Sequence, residues 1–499
     1  MPDFRAYTEG KVRSRDRGGC PYLSGADGSP IAGEISMTGS LIHCVDPGEP
    51  VALHVVYSVE DFGRVVLHTL PLDNSASPYH LSLELIRSKL AQIDERCSAW
   101  SATGFAPSRI LREEIERSRT LLAKAEKMQA PNPIRCASLA EKILTRVLWA
   151  AEGLAIEAGH HGMKARISDG SAKRIMLGAN LFGFDSDGEY NSRFAQLFNY
   201  ATLPFHWHAF EPEPGKEQWQ KVHAMLNWLA ANGIRAKGHP LIWFHEPCYP
   251  AWAHCESFEE LLQLNVDRVK RVVDGCCDHI ALWDVINEAH DADHSNMFGF
   301  SRDQLVEITA AAVTATHAAD PKATAVVNIC APFGEYAAGE KDKWCPLDYL
   351  AACVDSGIEF DAIGVQFYYG SGWAYCRDLL EISARLDRYG AFGKPVHITQ
   401  IGCPSCSRPD PDHMLGSATV EDAGLWHGNW CEALQAEWVE KFYTICCGKP
   451  YMEAITWWDF ADSPQHFFTH SGLLRADFSP KPAYNRLLNL AKDLGIGKD

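Results

Sequence analysis

The spacing of apolar and polar positions changes period twice along the chain. In residues 1–80 the apolar positions fall in short runs, Pro30–Cys44, Val51–Ser58 and Gly63–Leu70, separated by turn-forming triplets such as Ala26-Asp27-Gly28 and Asp46-Pro47-Gly48. Short runs bounded by Gly, Pro and Asp predict strands joined by tight turns, so this segment reads as a β-rich, sandwich-like domain. In residues 81–170 the period becomes helical, over Ser82–Trp100, Arg109–Gln129 and Ser138–Ala158. Apolar positions three and four apart with charges between them predict helices buried on one face. In the second helix Ile110, Leu111, Ile115, Leu121 and Leu122 alternate with Arg and Glu, and Pro131-Asn132-Pro133 ends it, because proline lacks the N–H that a helix interior needs.

From residue 171 to 499 the two periods alternate. Strand candidates are Arg174–Phe184, Phe198–Phe205, Ile234–Trp243, His279–Ala289, Ala323–Cys330, Asp361–Tyr369, Pro395–Gly402 and Ala454–Phe460. Between them lie the helical stretches Lys216–Asn232, Phe258–Gly275, Arg302–Ala319 and Glu432–Cys447, with Ala483–Leu494 last. Strands alternating with helices over this length predict an α/β fold, a (β/α)₈ TIM barrel. The barrel is preceded by the β-rich domain and a helical connecting segment.

Composition narrows the functional classes. The net charge of -18 on 499 residues supplies no positive field to gather phosphates, which argues against a nucleic-acid partner. No apolar run reaches the roughly 18 residues of a membrane span. The first ten residues, MPDFRAYTEG, lack the apolar core of a secretory signal, and the 17 cysteines are expected as reduced thiols. A cytoplasmic location is expected, or secretion after removal of a leader. The 15 Trp and 16 Tyr suit stacking on sugar rings.

Catalytic groups of a (β/α)₈ barrel sit at the carboxyl ends of its strands. Those ends carry His239 through Trp243, Trp283 through Glu288, Gln366 through Tyr369, Gln400, and Trp457 through Asp459. A barrel end built only for stability would carry Val, Ile and Leu there. Glu288, preceded by Asn287 at the end of an apolar strand, suits glycoside hydrolysis: one carboxyl protonates the leaving oxygen while an amide holds the sugar 2-hydroxyl. A half-dry mouth raises a carboxyl pKa, as an acid catalyst needs.

The motifs WDVINEA (283–289), GHPLIW (238–243), IGVQ (363–366), ITWWDF (455–460) and PKPAY (480–484) resemble those of glycoside hydrolase family 10. The resemblance covers about residues 174–495. Members of that family are typically retaining endo-β-1,4-xylanases. By resemblance, Glu288 is the general acid/base and Asn287 its neighbour at the −1 subsite. His239, Trp243 and Gln366 match residues around that subsite, and Trp458 matches its aromatic floor. The family nucleophile lies in an Ile-Thr-Glu motif, which here reads Ile398-Thr399-Gln400. Gln fills the volume of Glu without its charge, so it cannot form the glycosyl-enzyme of a retaining mechanism. Two origins are open: an engineered Glu→Gln change, or a natural loss in a sugar-binding relative.

Other departures fall on the glycone side. The family's Glu-Asn and Lys after the second strand are replaced in Thr202–Trp207, with His206 standing at the Lys. Phe244-His245-Glu246 replaces His-Ser-Gln, and Tyr368 replaces a His. His206 and His245 read equally as sugar contacts or as hydrogen-bonded loop residues, and the identity of the glycan stays open. Cys403-x₂-Cys406 with His427-x₃-Cys431 has a zinc-like spacing, but it lies in one loop of a cysteine-rich chain, and neither metal nor cofactor is expected, since two carboxyl groups suffice for the chemistry. The expectation is therefore a retaining glycoside hydrolase for β-linked, xylan-type glycans, inactivated at Gln400. The alternative is a non-catalytic carbohydrate-binding protein on the same scaffold. In either case the partner is a carbohydrate. The oligomeric state is open, as is whether the β-rich domain binds carbohydrate or buttresses the barrel.

Overall fold

The computed structural model describes the chain apart from residues 1, 8–9, 13–18, 32, 46–47, 185–187, 339–342, 415–418, 463–465 and 497–499; most of the Asp46-Pro47-Gly48 turn therefore lies outside the described residues. Eight short strands come first: β1 (Asp3–Arg5), β2 (Tyr22–Ser24), β3 (Pro30–Ile31), β4 (Ile35–Thr38), β5 (Leu41–Cys44), β6 (Ala52–Val59), β7 (Gly63–His68) and β8 (Tyr79–His80). The single run expected over Pro30–Cys44 is split in three. Gly39, at a φ of 61°, turns β4 back onto β5 with Thr38 paired to Leu41, a two-residue connection that needs positive φ. One sheet has the order β4-β5-β1-β8, and the other contains β7-β6-β2-β3.

Three helices follow, α1 (Leu81–Ser101), α2 (Arg109–Gln129) and α3 (Pro133–Ser168). The helix expected over Ser138–Ala158 is longer at both ends. At its start Asn132 accepts a hydrogen bond from Arg135 N at 3.0 Å with Pro133 in the first turn, where proline's missing N–H costs nothing. At its other end Gly159 and Gly162 permit close approach: a Cβ on Gly162 would lie 2.1 Å from the Gly448 carbonyl oxygen.

The barrel strands are β9 (Met176–Asn180), β10 (Tyr200–Pro204), β11 (Arg235–His239), β12 (Ile280–Asn287), β13 (Thr324–Ile329), β14 (Ala362–Gln366) and β15 (Val396–Ile401); β16 (Leu425–Trp426) is a loop strand and β17 (Met452–Trp457) completes the ring. They close in the order β10-β11-β12-β13-β14-β15-β17-β9, all parallel. An outer layer is formed by α4 (Glu189–Leu197), α5 (Trp207–Phe210), α6 (Trp219–Ala231), α7 (Phe258–Asp274), α8 (Arg302–Ala319), α9 (Pro346–Asp355), α10 (Leu379–Gly390), α11 (Glu432–Cys447) and α12 (Pro482–Asp493). Each strand is shorter than its apolar run because the run continues into the loop at the strand's carboxyl end. The third run, expected to Trp243, leaves the ladder at His239, since Pro240 has no N–H to donate. That departure is what delivers Trp243 to the mouth.

The amino-terminal third is bound tightly to the barrel. Lys89 of α1 and Asp378 at the start of α10 form a buried ion pair at 2.7 Å. Arg166 of α3 donates to the carbonyls of Cys447, Lys449 and Met452 at 3.2, 2.8 and 3.0 Å. Glu152 of α3 accepts from Leu379 N and Trp426 Nε1 at 3.2 and 2.8 Å and pairs with His427 at 3.0 Å. The strand β16, from the loop after β15, pairs antiparallel with β7 and becomes the fifth strand of the amino-terminal sheet. All seventeen cysteines are free thiols. Among the described residues no helix is long and apolar enough to cross a membrane.

The α3–α11 contact yields a test. On an exposed helix, Gly→Ala stabilises by about 1 kcal/mol. At Gly162 the added methyl meets backbone, so Gly162→Ala is expected to destabilise by about 2–3 kcal/mol, measured as a lowered urea midpoint. A neutral or stabilising result would mean that the helices are not in contact there.

Candidate active site

Strand register brings the site together. Asn287 pairs with Asn328 across β12 and β13, and Gln366 pairs with Gln400 across β14 and β15. Glu288 follows β12 directly, at a φ of 56°, a left-handed conformation that costs any residue with a Cβ on the order of 1 kcal/mol. Its N–H donates to Asn328 O at 2.8 Å, which holds the turn. One carboxylate oxygen accepts from Gln366 Nε2, and the other from Ser295 Oγ at 2.9 Å. Ser295 in turn accepts from Trp243 Nε1 at 2.8 Å. Burial, reinforced by Asp291, raises the Glu288 pKa above the ordinary glutamate value; the hydrogen bonds from Gln366 and Ser295 oppose the rise.

Asn287 accepts from Asn328 Nδ2 at 2.6 Å and from Gln366 Nε2 at 3.3 Å. Its own Nδ2 is buried with no protein partner. Leaving a buried donor unmet is costly, so this nitrogen is suited to receive a ligand oxygen or a water.

A second network surrounds Gln400. Lys237, fully buried inside the barrel, pairs with Asp284 at 2.6 Å, and the other Asp284 oxygen takes His239 Nδ1 at 2.7 Å. Burial opposes ionisation of Asp284, yet Lys237 and His239 together hold it below the usual carboxylate range. Burial also lowers the His239 pKa against the pull of Asp284, so His239 is neutral near pH 7 with its proton on Nδ1. Its Nε2 then presents a lone pair, and Gln400 Nε2 lies 3.4 Å away on that side. Tyr368 OH donates to Gln400 Oε1 at 2.7 Å. Only one orientation of the Gln400 amide satisfies both neighbours: NH₂ toward His239 and oxygen toward Tyr368.

Trp458 closes the cluster, edge-on to His239 at 5.5 Å and to Phe182 at 5.0 Å. His206 stands 5.7 Å from the His239 ring and 5.8 Å from Trp243. Burial, with His239 and Arg268 nearby, pushes its pKa down to about 3, so it is a neutral ring at this position. His245 is not brought into the cluster. It stacks on Trp243 at 4.6 Å and donates from Nδ1 to His294 O at 2.7 Å, and it reaches the mouth only through Trp243. Ser295, Asn328, Lys237 and Phe182 join the site without having been expected. Ser295 and Phe182 are single residues in loops that carry no motif, whereas Asp284 stands inside WDVINE and was open to notice.

The side chains of Cys403, Cys406, His427 and Cys431 do not form a cluster able to hold an ion. His427 is stacked on Trp426 at 3.8 Å and paired with Glu152. Among the described residues, the groups close enough to hold an ion are Glu288 with Asp291 and Cys330, and Asp291 with Asp293 and His294. The Glu288 and Asp291 oxygens in these groups already accept hydrogen bonds from Ser295, Gln366, Tyr336 and the Asp293 N–H.

The sequence pattern described as Glycosyl hydrolase family 10 matches residues 179–490. The chain belongs to glycosyl hydrolase family 10. Among similar proteins, Endo-1,4-beta-xylanase B of Thermotoga neapolitana is 24% identical over 301 residues, 58% of this chain and 78% of that protein. Endo-1,4-beta-xylanase of Geobacillus stearothermophilus is 26% identical over 302 residues, 56% of this chain and 84% of that protein. Native xylanase 10B from Thermotoga maritima superposes with a TM-score of 0.50 at 21% identity, over 65% of this chain and 97% of that one; at such identity the likeness is one of fold. The family match begins inside β9, so the preceding sheets and helices of this family 10 protein lie outside it.

The His239 lone pair gives the site its own test. A carboxylate at position 400 would face that lone pair and favour a second proton on the ring. Gln400→Glu is therefore expected to raise the His239 pKa by about one unit or more, read from imidazole ¹⁵N shifts during a pH titration. An unchanged value would mean that the two side chains do not share a hydrogen bond.

Proposed function

We propose that this family 10 chain takes a β-linked, xylan-type oligosaccharide into the mouth around Glu288 and Gln400 and, as it stands, holds the glycan without completing a double displacement. The observation that carries this reading is the asymmetry of the two networks. Glu288 keeps a raised pKa and a full set of supporting donors, as a general acid requires. Position 400 offers only a neutral amide. Glu288 is the proposed acid/base. Asn287, Gln366, His239, Trp243 and Trp458 are the proposed sugar contacts at the reacting ring, with His206 and Tyr368 on the glycone side. His245 is a proposed support for Trp243. The names of the similar proteins, endo-1,4-beta-xylanases, support the choice of glycan. The division into residues 1–80, 81–170 and 171–499 is also kept as a proposal, with the first two segments acting as a buttress.

In a retaining reaction Glu288 gives its proton to the glycosidic oxygen while an anion attacks the anomeric carbon from the opposite face. Gln400 can hydrogen-bond a sugar hydroxyl, so binding survives. It supplies no anion to attack or to stabilise the developing positive charge. A second reading, a dedicated carbohydrate-binding protein, is favoured by one observation: Gln400 is satisfied on both sides by Tyr368 and His239, the pattern of an amide at home in its site.

Gln400→Glu separates the two readings. If the missing charge is the only lesion, turnover of xylo-oligosaccharides is expected to rise by at least about 10³-fold, with retained anomeric configuration in the product. Adding Glu288→Gln should then abolish cleavage of substrates with poor leaving groups and spare those whose leaving group needs no proton. A folded Gln400→Glu protein that binds xylo-oligosaccharides and stays inert would establish the binding-protein reading. Failure of the unmodified chain to bind any β-linked glycan in calorimetry would reject both. The neutral His206 and Tyr368 predict a further difference: across a glycan panel, unsubstituted linear xylan should not be by far the best ligand.

A further inference from the structure

A crevice of about 940 Å³ opens at the end of the barrel opposite the mouth, between the helical segment and the amino ends of β9, β11 and β17. It is built largely from residues outside the family match, which starts at residue 179. Trp100 of α1, Phe105 after it and Tyr451 before β17 supply an aromatic floor. Five cationic side chains line it against three carboxylates, a local positive excess on a chain of net charge -18.

Three of the cations are engaged. Arg96 and Lys449 bond Asp387 at 3.1 and 2.7 Å, and Arg166 donates to main-chain carbonyls. Arg174 and Arg235 make no hydrogen bond or ion pair among the described residues. Both are exposed on the rim, one just before β9 and one at the first residue of β11, and Arg174 lies in the field of Asp169 and Glu453, whose pKa values it helps to lower. An unpaired arginine offers a planar fork matched to a carboxylate. Lys449 Nζ lies 5.1 Å over one face of Trp100, and Tyr451 OH donates to Asp387 at 2.7 Å; the aromatic surface left facing the crevice suits the C–H side of a sugar ring. The volume lies in the range that encloses a small ligand.

We propose that this crevice binds a short acidic oligosaccharide, a two- or three-unit glycan bearing a uronate. Its ring lies on Trp100 and Tyr451, and its carboxylate is taken by Arg174 and Arg235. A neutral sugar would use the floor and leave both arginines unmet; a bare inorganic anion would use the arginines and leave the floor wet. The acidic glycan uses both. The site faces away from Glu288, so it tethers glycan to the chain and takes no part in bond cleavage. It does not depend on whether the mouth turns glycan over.

The test uses the full chain carrying Trp458→Ala to weaken the mouth, with its fold checked by circular dichroism. Calorimetry compares xylotriose bearing one glucuronic acid branch with plain xylotriose. The acidic probe is expected to bind at least tenfold more tightly, and Arg174→Ala/Arg235→Ala, on exposed residues, is expected to remove that advantage. Trp100→Ala should weaken the same probe and leave plain xylotriose binding to the mouth of the Trp458-bearing parent unchanged. Equal binding of the two probes, no binding of the acidic one, no effect of the double arginine variant, or equal competition by inorganic phosphate would each overturn the proposal. Loss of plain xylotriose binding in the parent concerns the mouth alone, and so marks failure of the proposed function separately.

Discussion

The site rests on a charge pair that solvent never reaches. Lys237 and Asp284 face each other inside the barrel at 2.6 Å, and Asp284 spends its second oxygen on His239. Two buried charges hold only as a pair: removing one leaves the other uncompensated, at about 3–5 kcal/mol. The consequence runs outward in a fixed order. The lysine keeps the aspartate ionised, the aspartate fixes the imidazole tautomer, and the tautomer decides which end of the Gln400 amide turns toward it. A carboxylate in that place would draw a second proton toward the ring, against the burial that lowers the His239 pKa. The residue at 400 and the proton on His239 are thus coupled.

The rest of the scaffold serves to keep the barrel ends in place. One network runs from Glu288 through Ser295 to Trp243, and from Gln366 to Asn287. Behind the barrel, α3 grips the carbonyls around Cys447 and Met452 through Arg166, and Glu152 gathers the start of α10 together with Trp426 and His427. The helical segment is therefore packed structure, joined to the barrel by buried polar contacts whose partners lie some 200–300 residues away in sequence. That separation explains why its termini are hard to read locally: Gly159 and Gly162 end a helix by propensity, and continue one when a neighbouring helix needs room.

Much of the barrel is legible in the sequence because its strands are buried on both faces and stand out as continuous apolar runs; β9, β14 and β15 are buried throughout. The ends of those runs are less legible, because the apolar stretch continues into loops that line the mouth, as Leu241 and Ile242 do. Glu288, Asn287, Gln366 and Trp458 are readable because strand-end position and motif agree. Ser295 is not, since a lone serine in a loop carries no period and no motif, although it bonds Glu288 directly. His245 reads equally as a sugar contact or a hydrogen-bonded loop residue, and the fold stacks it on Trp243 with its Nδ1 on the His294 carbonyl, an orientation that the sequence alone does not determine. The zinc-like spacing in the loop after β15, which the sequence reading sets aside, gathers no ion site among these residues, and His427 turns back toward α3.

The two-residue strand Leu425–Trp426 pairs with Arg64 and Gly63, and this has a bearing on how the chain comes off the ribosome. β7, at the edge of the sheet that also holds β6, β2 and β3, is translated early, and its last partner strand arrives about 360 residues later. At about 5–20 residues per second that is a wait of about 20–70 seconds. During it the backbone of β7 presents an open edge, and an unpaired strand edge is a template for any passing β segment. The nascent amino-terminal sheet therefore stays open to wrong pairing until the loop after β15 has been made. A ribosome stalled within the barrel would release a chain whose β7 edge was never covered.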